Sequence, residues 1–291
     1  MKVLVTGATG QVGRELTTRG AEPLTRVDLD LTTAGTPAFA TAARDLLAGV
    51  DVLVNCAAWT DVDGAEDEAN TAQVEAVNAV APGVLAAIAA EEGVRMIHVS
   101  TDYVFSGVAP EEDGRPRGWR VDDPVAPANA YGRTKAAGES DVLAAGGTVV
   151  RTSWVWSGPH APGRDFVATM ATLAERGVDP SVVDDQVGRP TYAADLAAGL
   201  WQLAAANGAG QGSVLHFQNS GDPVSWCGLA REVFAVTGHD PERVASCTTA
   251  DWPTPAVRPP WSVLDLGPWE STVGTVPPAW QDGLARGLAI G

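Results

Sequence analysis

The chain has 291 residues, 45% of them hydrophobic and 19% charged, so it is long enough to bury a substantial core and has the composition of a globular protein. A net charge of −17 makes sequence-independent binding to nucleic acid or to an anionic membrane surface unfavourable. Three widely separated cysteines, Cys56, Cys227 and Cys247, favour a reducing cytoplasm over a disulfide framework, and neither a signal peptide nor a membrane-spanning stretch is expected.

Apolar runs of strand length alternate with Ala- and Leu-rich stretches of helix length in the first half of the chain. Strands are predicted near 2–6, 23–29, 51–57, 95–101 and 148–154, with helices near 11–19, 37–48, 72–92 and 130–145. This alternation is typical of a parallel sheet covered by helices. It predicts an α/β fold with a Rossmann-like, doubly wound parallel sheet.

The chain becomes richer in Pro and Trp beyond residue 155. Further segments are predicted near 165–177, 181–185, 192–207, 213–218 and 225–238, with a last helix after Pro278. Because proline interrupts helices and sheets, this part is expected to form loops and a smaller C-terminal substrate-binding lobe. The predicted division is an NAD(P)-binding domain over 1–155, with returning segments near 181–218, and a lobe over 156–180 and 219–291. Polar residues 107–124 predict a long surface loop and a candidate lid.

The first predicted strand leads directly into a turn rich in glycine. The stretch VTGATGQVG places Gly7, Gly10 and Gly13 between this strand and the first helix. Glycine permits a tight turn and lets backbone N–H groups approach a pyrophosphate, while a helix N-terminus favours an anion. The turn therefore predicts a dinucleotide site.

The end of the second strand bears on which dinucleotide is bound. The stretch LTRVDLDL offers Arg26, which can pair with a 2′-phosphate, and Asp28 or Asp30, which can accept from ribose hydroxyls or from the adenine amino group. Arg26 lies nearer the expected strand end. NADPH is therefore favoured, with NADH as the alternative.

Tyr131 and Lys135 are spaced i and i+4 on a predicted helix, so their side chains share one face. A free tyrosine has a pKa of about 10, and a nearby ammonium favours the phenolate and lowers that pKa. The pair is predicted to give a proton to the oxygen that forms when hydride reaches a carbonyl. Lys135 is one of only two lysines in the chain, and its compact charge can also reach ribose hydroxyls.

The strand MIHVST ends in Ser100 and Thr101 just before this helix. A hydroxyl at the carboxyl edge of a parallel sheet is well placed to hydrogen-bond a substrate carbonyl. A glycine turn, a strand-end Thr101 and the Tyr131–Lys135 pair, in that order, together indicate a dinucleotide-dependent carbonyl reductase.

Longer motifs over nearly the whole chain resemble those of one enzyme family. They are GATGQVG, NCAAWTDVDGAE, VSTDYVFSG, NAYGRTKAAGE, RTSWVW, DDQVGRPTYAADLA and RPPWSVLD. In this order they resemble the dTDP-4-dehydrorhamnose reductases, within the extended short-chain dehydrogenase/reductase superfamily. The resemblance implies reduction of the C4 ketone of dTDP-4-dehydro-L-rhamnose to dTDP-L-rhamnose, with Thr101, Tyr131 and Lys135 as the catalytic set.

The resemblance also implies binding residues. Together with Arg26 and Tyr131, those expected at the cofactor are Gly7, Gly10, Gln11, Val12, Gly13, Asp30, Leu31, Ala57, Ala58 and Lys135. Those expected at the dTDP-sugar are Val62, Thr101, Asp102, Tyr103, Tyr131, Trp154 and Arg258. Some family members bind Mg²⁺ through acidic residues at a dimer interface. Glu15 matches one of these acids, but no partners for it are identified in this sequence, so Mg²⁺ binding is left undecided. The resemblance also implies a homodimer.

Other functions stay open at this point. A 4-ketoreductase that acts on another dTDP-6-deoxyhexose, in the synthesis of an antibiotic sugar, would carry the same motifs. The exact sugar is left undecided because this chain has Trp59 where the family usually has Tyr or His. A dehydratase would be expected to have Glu after Asp102, where this chain has Tyr103. A non-catalytic NADP-binding regulatory subunit is the alternative from a different class, and the intact Thr101, Tyr131 and Lys135 argue against it.

Overall fold

The computed structural model describes residues 1–163 and 165–289. In these residues the strands are β1 (Val3–Thr6), β2 (Glu22–Leu24), β3 (Val52–Asn55), β4 (Arg95–Thr101), β5 (Glu111–Glu112), β6 (Arg115–Pro116), β7 (Thr148–Thr152), β8 (Val155–Trp156), β9 (Ser181–Val183), β10 (Val187–Gly188), β11 (Thr191–Tyr192), β12 (Val214–His216), β13 (Val224–Ser225) and β14 (Ala245–Cys247). The α-helices are α1 (Gln11–Thr18), α2 (Pro37–Leu47), α3 (Thr71–Glu75), α4 (Ala81–Glu91), α5 (Ala130–Ala144), α6 (Phe166–Glu175), α7 (Ala193–Ala205), α8 (Trp226–Val236), α9 (Gly267–Val273) and α10 (Trp280–Leu288).

The central sheet has six parallel strands in the order β12-β7-β4-β3-β1-β2. Alternate residues of each strand point to opposite faces, so Val5 and Val54 pack in one core and Leu4 and Leu53 in the other. The chain pairs β2 on one side of β1 and β3 on its other side, which creates a topological switch point between β1 and β3. The predicted Rossmann-like α/β class is confirmed.

Side-chain caps explain where two helices near the carboxyl edge of the sheet begin. Asn129 Oδ1 accepts from the Gly132 N–H at 2.8 Å and starts α5. Asp165 Oδ1 accepts from the Ala168 N–H at 2.8 Å and starts α6. A cap of this kind stabilises a helix by about 1 kcal/mol, because it satisfies a backbone donor that has no partner within the helix.

Several elements differ from the prediction, three of them in segments that form or cover the central sheet. Strand β2 ends at Leu24 instead of near residue 29, because Asp28 folds back and accepts from the Thr25 N–H at 2.8 Å, which closes a turn. The helix predicted near 72–92 contains a π-helical stretch, Ala76–Val80, between α3 and α4. Helix α9 is missing from the prediction, since it has only seven residues and buries one of them, Trp269.

The segment Glu68–Glu91 contradicts the expectation that no stretch has the length of a membrane span. By length and composition alone this helical run is long and apolar enough to cross a bilayer. In the structure it covers the central sheet, where Ala81, Leu85 and Ile88 of α4 are buried in a core. Packing in this core accounts for its apolar length.

A third core lies among the residues that follow β7. It joins helices α6, α8 and α10 and includes Trp156, Val167, Phe234 and Leu284. The segments predicted to return to the first domain divide between cores: Val182 of β9 packs in this third core, whereas α7 and β12 pack with the central sheet. The division of the chain into two domains stays a prediction.

Residues 107–124 are more ordered than the predicted surface loop. Strands β5 and β6 pair as an antiparallel hairpin. At its base Arg117 binds both carboxylate oxygens of Asp123, at 2.6 and 2.7 Å, and the buried Trp119 ring stacks on Phe105. Among the described residues none from this range lines the main cavity, so the structure does not support the suggested lid.

Candidate active site

A cavity of about 880 Å³ lies at the carboxyl ends of the central strands, across the switch point between β1 and β3. This volume falls in the range of roughly 300–1,000 Å³ that is usual for small-molecule sites. The predicted residues that line it are Gly7, Gly10, Gln11, Val12, Gly13, Arg26, Asp30, Leu31, Ala57, Ala58, Val62, Thr101, Asp102, Tyr103, Tyr131, Lys135 and Trp154. Folding therefore brings all but one of them, Arg258, to a single cavity.

The glycine turn forms one wall of this cavity. Gly7 has a φ of +67°, and a Cβ atom there would lie only 2.7 Å from the Ala57 nitrogen. A Cβ atom on Gly13 would lie 2.2 Å from the Gly7 oxygen, so both positions require glycine. Helix α1 has Gly10 as its N-cap, and no side chain caps its first turn in the described structure. Backbone donors at this helix N-terminus therefore fit the pyrophosphate of a dinucleotide.

Arg26 and Asp30 lie together at the far end of this wall. The Arg26 Nε lies 3.4 Å from Asp30 Oδ1, and the Arg26 side chain is 72% exposed. Asp30 Oδ1 also accepts from the Thr32 hydroxyl at 2.8 Å and N–H at 3.0 Å, and these bonds hold its pKa below the usual value. Asp28, the other candidate from the sequence, is bound to Thr25 and is not among the cavity-lining residues.

We expect Arg26→Ala to raise the KM for NADPH about tenfold and to leave the KM for NADH nearly unchanged. An exposed guanidinium can pair with a 2′-phosphate, and a charge-assisted bond of about 1.4 kcal/mol corresponds to that factor. Initial rates with each coenzyme at varied concentration check this prediction. Arg115→Ala, on the exposed β5–β6 hairpin away from the cavity, is the matched control. An equal change in both KM values would contradict a role for Arg26 in reading the phosphate.

The reacting end of the cavity is built where β4 meets α5. Thr101 ends β4, and its hydroxyl accepts from the Tyr103 N–H at 3.2 Å. The Tyr131 ring meets the Tyr103 ring edge to face, with centroids 5.5 Å apart. Burial raises the pKa of Tyr131, and a hydrogen bond with Thr101 acts in the opposite direction. The Tyr131 phenol is therefore held in the protonated form that a proton donor requires.

Asp102 is a buried carboxyl group in the same wall. It is 3% exposed, and its Oδ1 accepts from the Thr101 hydroxyl at 3.1 Å. Burial raises the pKa of Asp102 to about 7, and the hydrogen bond from the Thr101 hydroxyl acts in the opposite direction. A carboxyl group with this pKa exchanges its proton near neutral pH, a property that the sequence motif did not indicate.

Lys135 is 1% exposed and points into the protein beneath the cavity wall. Its Nζ donates to the Val99 oxygen at 2.8 Å and lies 3.1 Å from Nε2 of His98. In this structure both partners of the Lys135 Nζ belong to β4. The role of Lys135 in lowering the pKa of Tyr131 stays a prediction.

The chain beyond β7 contributes the predicted residue Trp154 and two cavity residues that the sequence analysis did not predict, Asp165 and Trp226. Trp154 has a φ of +49°, a strained value for a large side chain, and its ring stacks on Trp226 with centroids 3.7 Å apart. Asp165 accepts from Gln11 Nε2 at 3.1 Å and so ties α6 to the glycine turn. Trp226 and Asp165 both line the cavity. The sequence around Trp226 and Asp165 gave one local indication, the position of Asp165 as a helix N-cap. An N-cap predicts where a helix begins and does not predict a binding site.

Arg258 is the predicted site residue that does not line the cavity. Its guanidinium is paired with the Asp63 carboxylate. Burial and the Asp102 charge raise the pKa of Tyr103, and the charge of Arg258 acts in the opposite direction. Val62, next to Asp63 in the chain, does line the cavity. Arg258 therefore lies behind Tyr103 at the edge of the site, and its contact with a sugar nucleotide stays a prediction.

Glu15 was the acid considered for a metal. Among the residues that the structure describes, no group of three or more His, Cys, Asp or Glu side chains is arranged to hold a metal ion. Glu15 instead lies close enough to Tyr192 to raise its pKa, together with burial. Glu15 therefore stays an acid without identified partners for a metal.

Comparison with known proteins agrees with this geometry. Residues 1–290 match the family model described as RmlD substrate binding domain. A curated relative named dTDP-4-dehydrorhamnose reductase, from Mycobacterium tuberculosis, is 44% identical and is aligned over 99% of this chain and 92% of its own length. A relative from Streptomyces antibioticus, named probable dTDP-4,6-dihydroxy-2-methyloxan-3-one 4-ketoreductase, is 41% identical over 94% of this chain and 89% of its own.

A solved structure shows the same architecture with a cofactor. The dTDP-4-dehydrorhamnose reductase of Bacillus anthracis, in complex with NADP, is 30% identical to this chain. It superposes with a TM-score of 0.85, covering 99% of each chain. Its likeness extends over the sheet, the glycine turn and the residues beyond β7.

Proposed function

The chain belongs to the RmlD family of dTDP-4-dehydrorhamnose reductases, and we propose that it reduces the C4 ketone of dTDP-4-dehydro-L-rhamnose to dTDP-L-rhamnose with NADPH. The observation that supports this most directly is the joining of two half-sites in one cavity. The glycine turn at one end suits a pyrophosphate, and Thr101, Tyr131 and Lys135 lie at the other end.

The cofactor half of the cavity would hold the dinucleotide through this chain's backbone. The first N–H groups of α1 would bind the pyrophosphate, and Arg26 and Asp30 would meet the adenosine ribose. When bound, the reduced nicotinamide supplies the hydride for the ketone. NADH stays the alternative coenzyme, because Asp30 at this position can accept from a free 2′-hydroxyl.

The other half of the cavity would bind the ketone and protonate its oxygen. The Thr101 hydroxyl would orient and polarise the C4 carbonyl, and the Tyr131 Oη would donate its proton to the oxygen as the alcohol forms. The side chains of Tyr103, Trp154 and Trp226 would exclude water and pack against the sugar nucleotide. Lys135 would then return a proton to the Tyr131 oxygen.

The test is turnover of the named substrate. The absorbance of NADPH is followed with dTDP-4-dehydro-L-rhamnose, and the product is identified by NMR. We expect loss of the NADPH signal in step with formation of dTDP-L-rhamnose. Consumption of NADPH with formation of the C4 epimer, or no consumption with this substrate, would contradict the proposal.

A second candidate is reduction of another dTDP-4-keto-6-deoxyhexose. The Streptomyces antibioticus relative, named as a probable 4-ketoreductase, is nearly as similar to this chain as the Mycobacterium tuberculosis reductase. The two substrates differ at ring substituents, so they would be distinguished by side chains at the sugar end, such as Trp59, Val62 and Trp154. A comparison of kcat/KM for the two keto sugars decides between the candidates. A homodimer is also proposed from the family resemblance and is checked by the mass in solution.

A further inference from the structure

A row of buried polar side chains crosses the sheet beneath the cavity and ends at Lys135. Thr6 of β1, Asn55 of β3 and His98 of β4 are successive register partners on three adjacent strands. All three are at most 3% exposed. The Thr6 hydroxyl donates to Asn55 Oδ1, Asn55 Nδ2 lies 2.9 Å from His98 Nδ1, and His98 Nε2 lies 3.1 Å from Lys135 Nζ.

The orientation of the Asn55 amide is determined by a backbone group. The Ala57 N–H can only donate, and it donates to Asn55 Oδ1 at 3.3 Å. The opposite orientation would place the Asn55 NH₂ group against this N–H, and the Ala57 donor would then have no acceptor on Asn55. Asn55 therefore presents its NH₂ group to His98, whose Nδ1 must accept.

This orientation in turn determines the tautomer of His98. Burial lowers the pKa of His98 well below its ordinary value, and the charge of Lys135 acts in the same direction, so the ring is neutral. A neutral imidazole carries one proton, and with Nδ1 as the acceptor that proton is on Nε2. The Nε2–H then faces Lys135 Nζ, and only the neutral amine of Lys135 has the lone pair that completes this hydrogen bond.

We propose that Asn55 and His98 are positioning residues that hold the amino group of Lys135 through a hydrogen bond from His98 Nε2–H, and so favour release of the Lys135 proton to Tyr131. This inference rests on the proposed function. In the step, a proton leaves Lys135 Nζ and reaches the phenolate oxygen of Tyr131 by relay through water in the cavity, and the N–H electron pair stays on Nζ. The resulting amine donates to the Val99 oxygen and accepts from His98, and a proton from water later restores the ammonium.

The other groups around Lys135 agree with this role. Burial lowers the pKa of Lys135 to about 8. Glu139 on the same helix and Cys56 after β3 act in the opposite direction and raise this pKa. Tyr131 lies one helical turn earlier on α5. The row also connects the two halves of the site, because Ala57, which orients Asn55, is the residue against which Gly7 of the glycine turn packs.

The direct test is the tautomer of His98 in the free enzyme, measured by NMR with ¹⁵N-labelled histidine. His98→Gln identifies the resonance, since the chain has only four histidines. We expect Nε2–H in the wild type, and the same in Lys135→Met, because Asn55 and not Lys135 determines the tautomer. A proton on Nδ1 in the wild type, or a change of tautomer in Lys135→Met, would overturn the proposal.

The second test is the pH dependence of kcat in Asn55→Asp. A carboxylate at this position accepts from Nδ1–H, so His98 Nε2 becomes an acceptor that stabilises the Lys135 ammonium. The wild-type rate should fall as the pH rises through about 8, and the variant's alkaline limb should lie about one pH unit or more higher. The His98 tautomer should change to Nδ1–H in this variant.

Asn219→Asp is the matched control, since Asn219 is also buried but binds the Tyr192 N–H, far from Lys135 in the chain. The Asn219→Asp variant should have a lower free energy of unfolding, but the alkaline limb of its kcat–pH profile should lie where that of the wild type lies. An unmoved limb in Asn55→Asp, with an unchanged tautomer, would mean that Asn55 has only a structural role. Failure of the proposed substrate would leave the tautomer measurement intact, so the two proposals fail separately.

Discussion

Tyr131→Phe is expected to lower kcat by about 10²–10⁴-fold while changing the KM for the keto sugar little. The phenol would donate its proton only as the C4 oxygen gains charge, so its loss removes stabilisation of the transition state and not of the bound substrate. Burial raises the pKa of Tyr131, which keeps this proton in place across neutral pH. Steady-state rates with NADPH and the keto sugar check the prediction.

Tyr192→Phe is the matched control for this variant. Tyr192 stacks on Trp156 and is not among the cavity-lining residues in the described part of the chain. It should retain nearly the full rate, since it loses the same hydroxyl group outside the site. A Tyr131→Phe enzyme that kept the wild-type kcat would show that another group donates the proton, and Asp102, a buried carboxyl group that lines the cavity, would be the first to test.

Glu139→Ala is expected to lower the free energy of unfolding by about 3–5 kcal/mol. Glu139 on α5 and Arg151 on β7 form a paired salt bridge, with Nη2–Oε2 at 2.7 Å and Nε–Oε1 at 3.0 Å, and the two side chains are only 4% and 3% exposed. Removal of the carboxylate would leave a guanidinium buried without a countercharge, a change that typically costs this amount. Urea denaturation followed by tryptophan fluorescence measures the loss.

Glu91→Ala provides the comparison, because the Glu91–Arg44 pair is exposed and such pairs contribute only about 0–1 kcal/mol. The double variant Glu139→Leu with Arg151→Met should recover part of the loss, since it leaves neither charge unpaired. Equal urea-denaturation midpoints for Glu139→Ala and the wild type would show that water or a shifted side chain accepts the hydrogen bonds of the Arg151 guanidinium. The pair also bears on the site, since Glu139 lies one turn after Lys135 and holds α5 against β7.

The positions of the central strands along the chain and several chemical groups of the site could be predicted from local patterns. Strand β1, the turn at Gly7 and helix α1 follow one another in the chain, so their geometry depends on neighbouring residues. The same holds for Tyr131 and Lys135, which one helix places on the same face. The end of β2 was misjudged because the pattern of LTRVDLDL does not show that Asp28 turns back to Thr25.

The sequence by itself determined the family, through the resemblance of its longer motifs, and the fold class, through the alternation of strand- and helix-length runs. The spacing of Tyr131 and Lys135 further determined that they share one face of a helix. The partners of those side chains were decided only by the tertiary structure. Lys135 meets His98, Gln11 meets Asp165 and Asp63 meets Arg258 across separations of 37, 154 and 195 residues. Such contacts depend on how the sheet, α5 and the residues beyond β7 pack, and packing is a property of the whole chain that no local pattern contains.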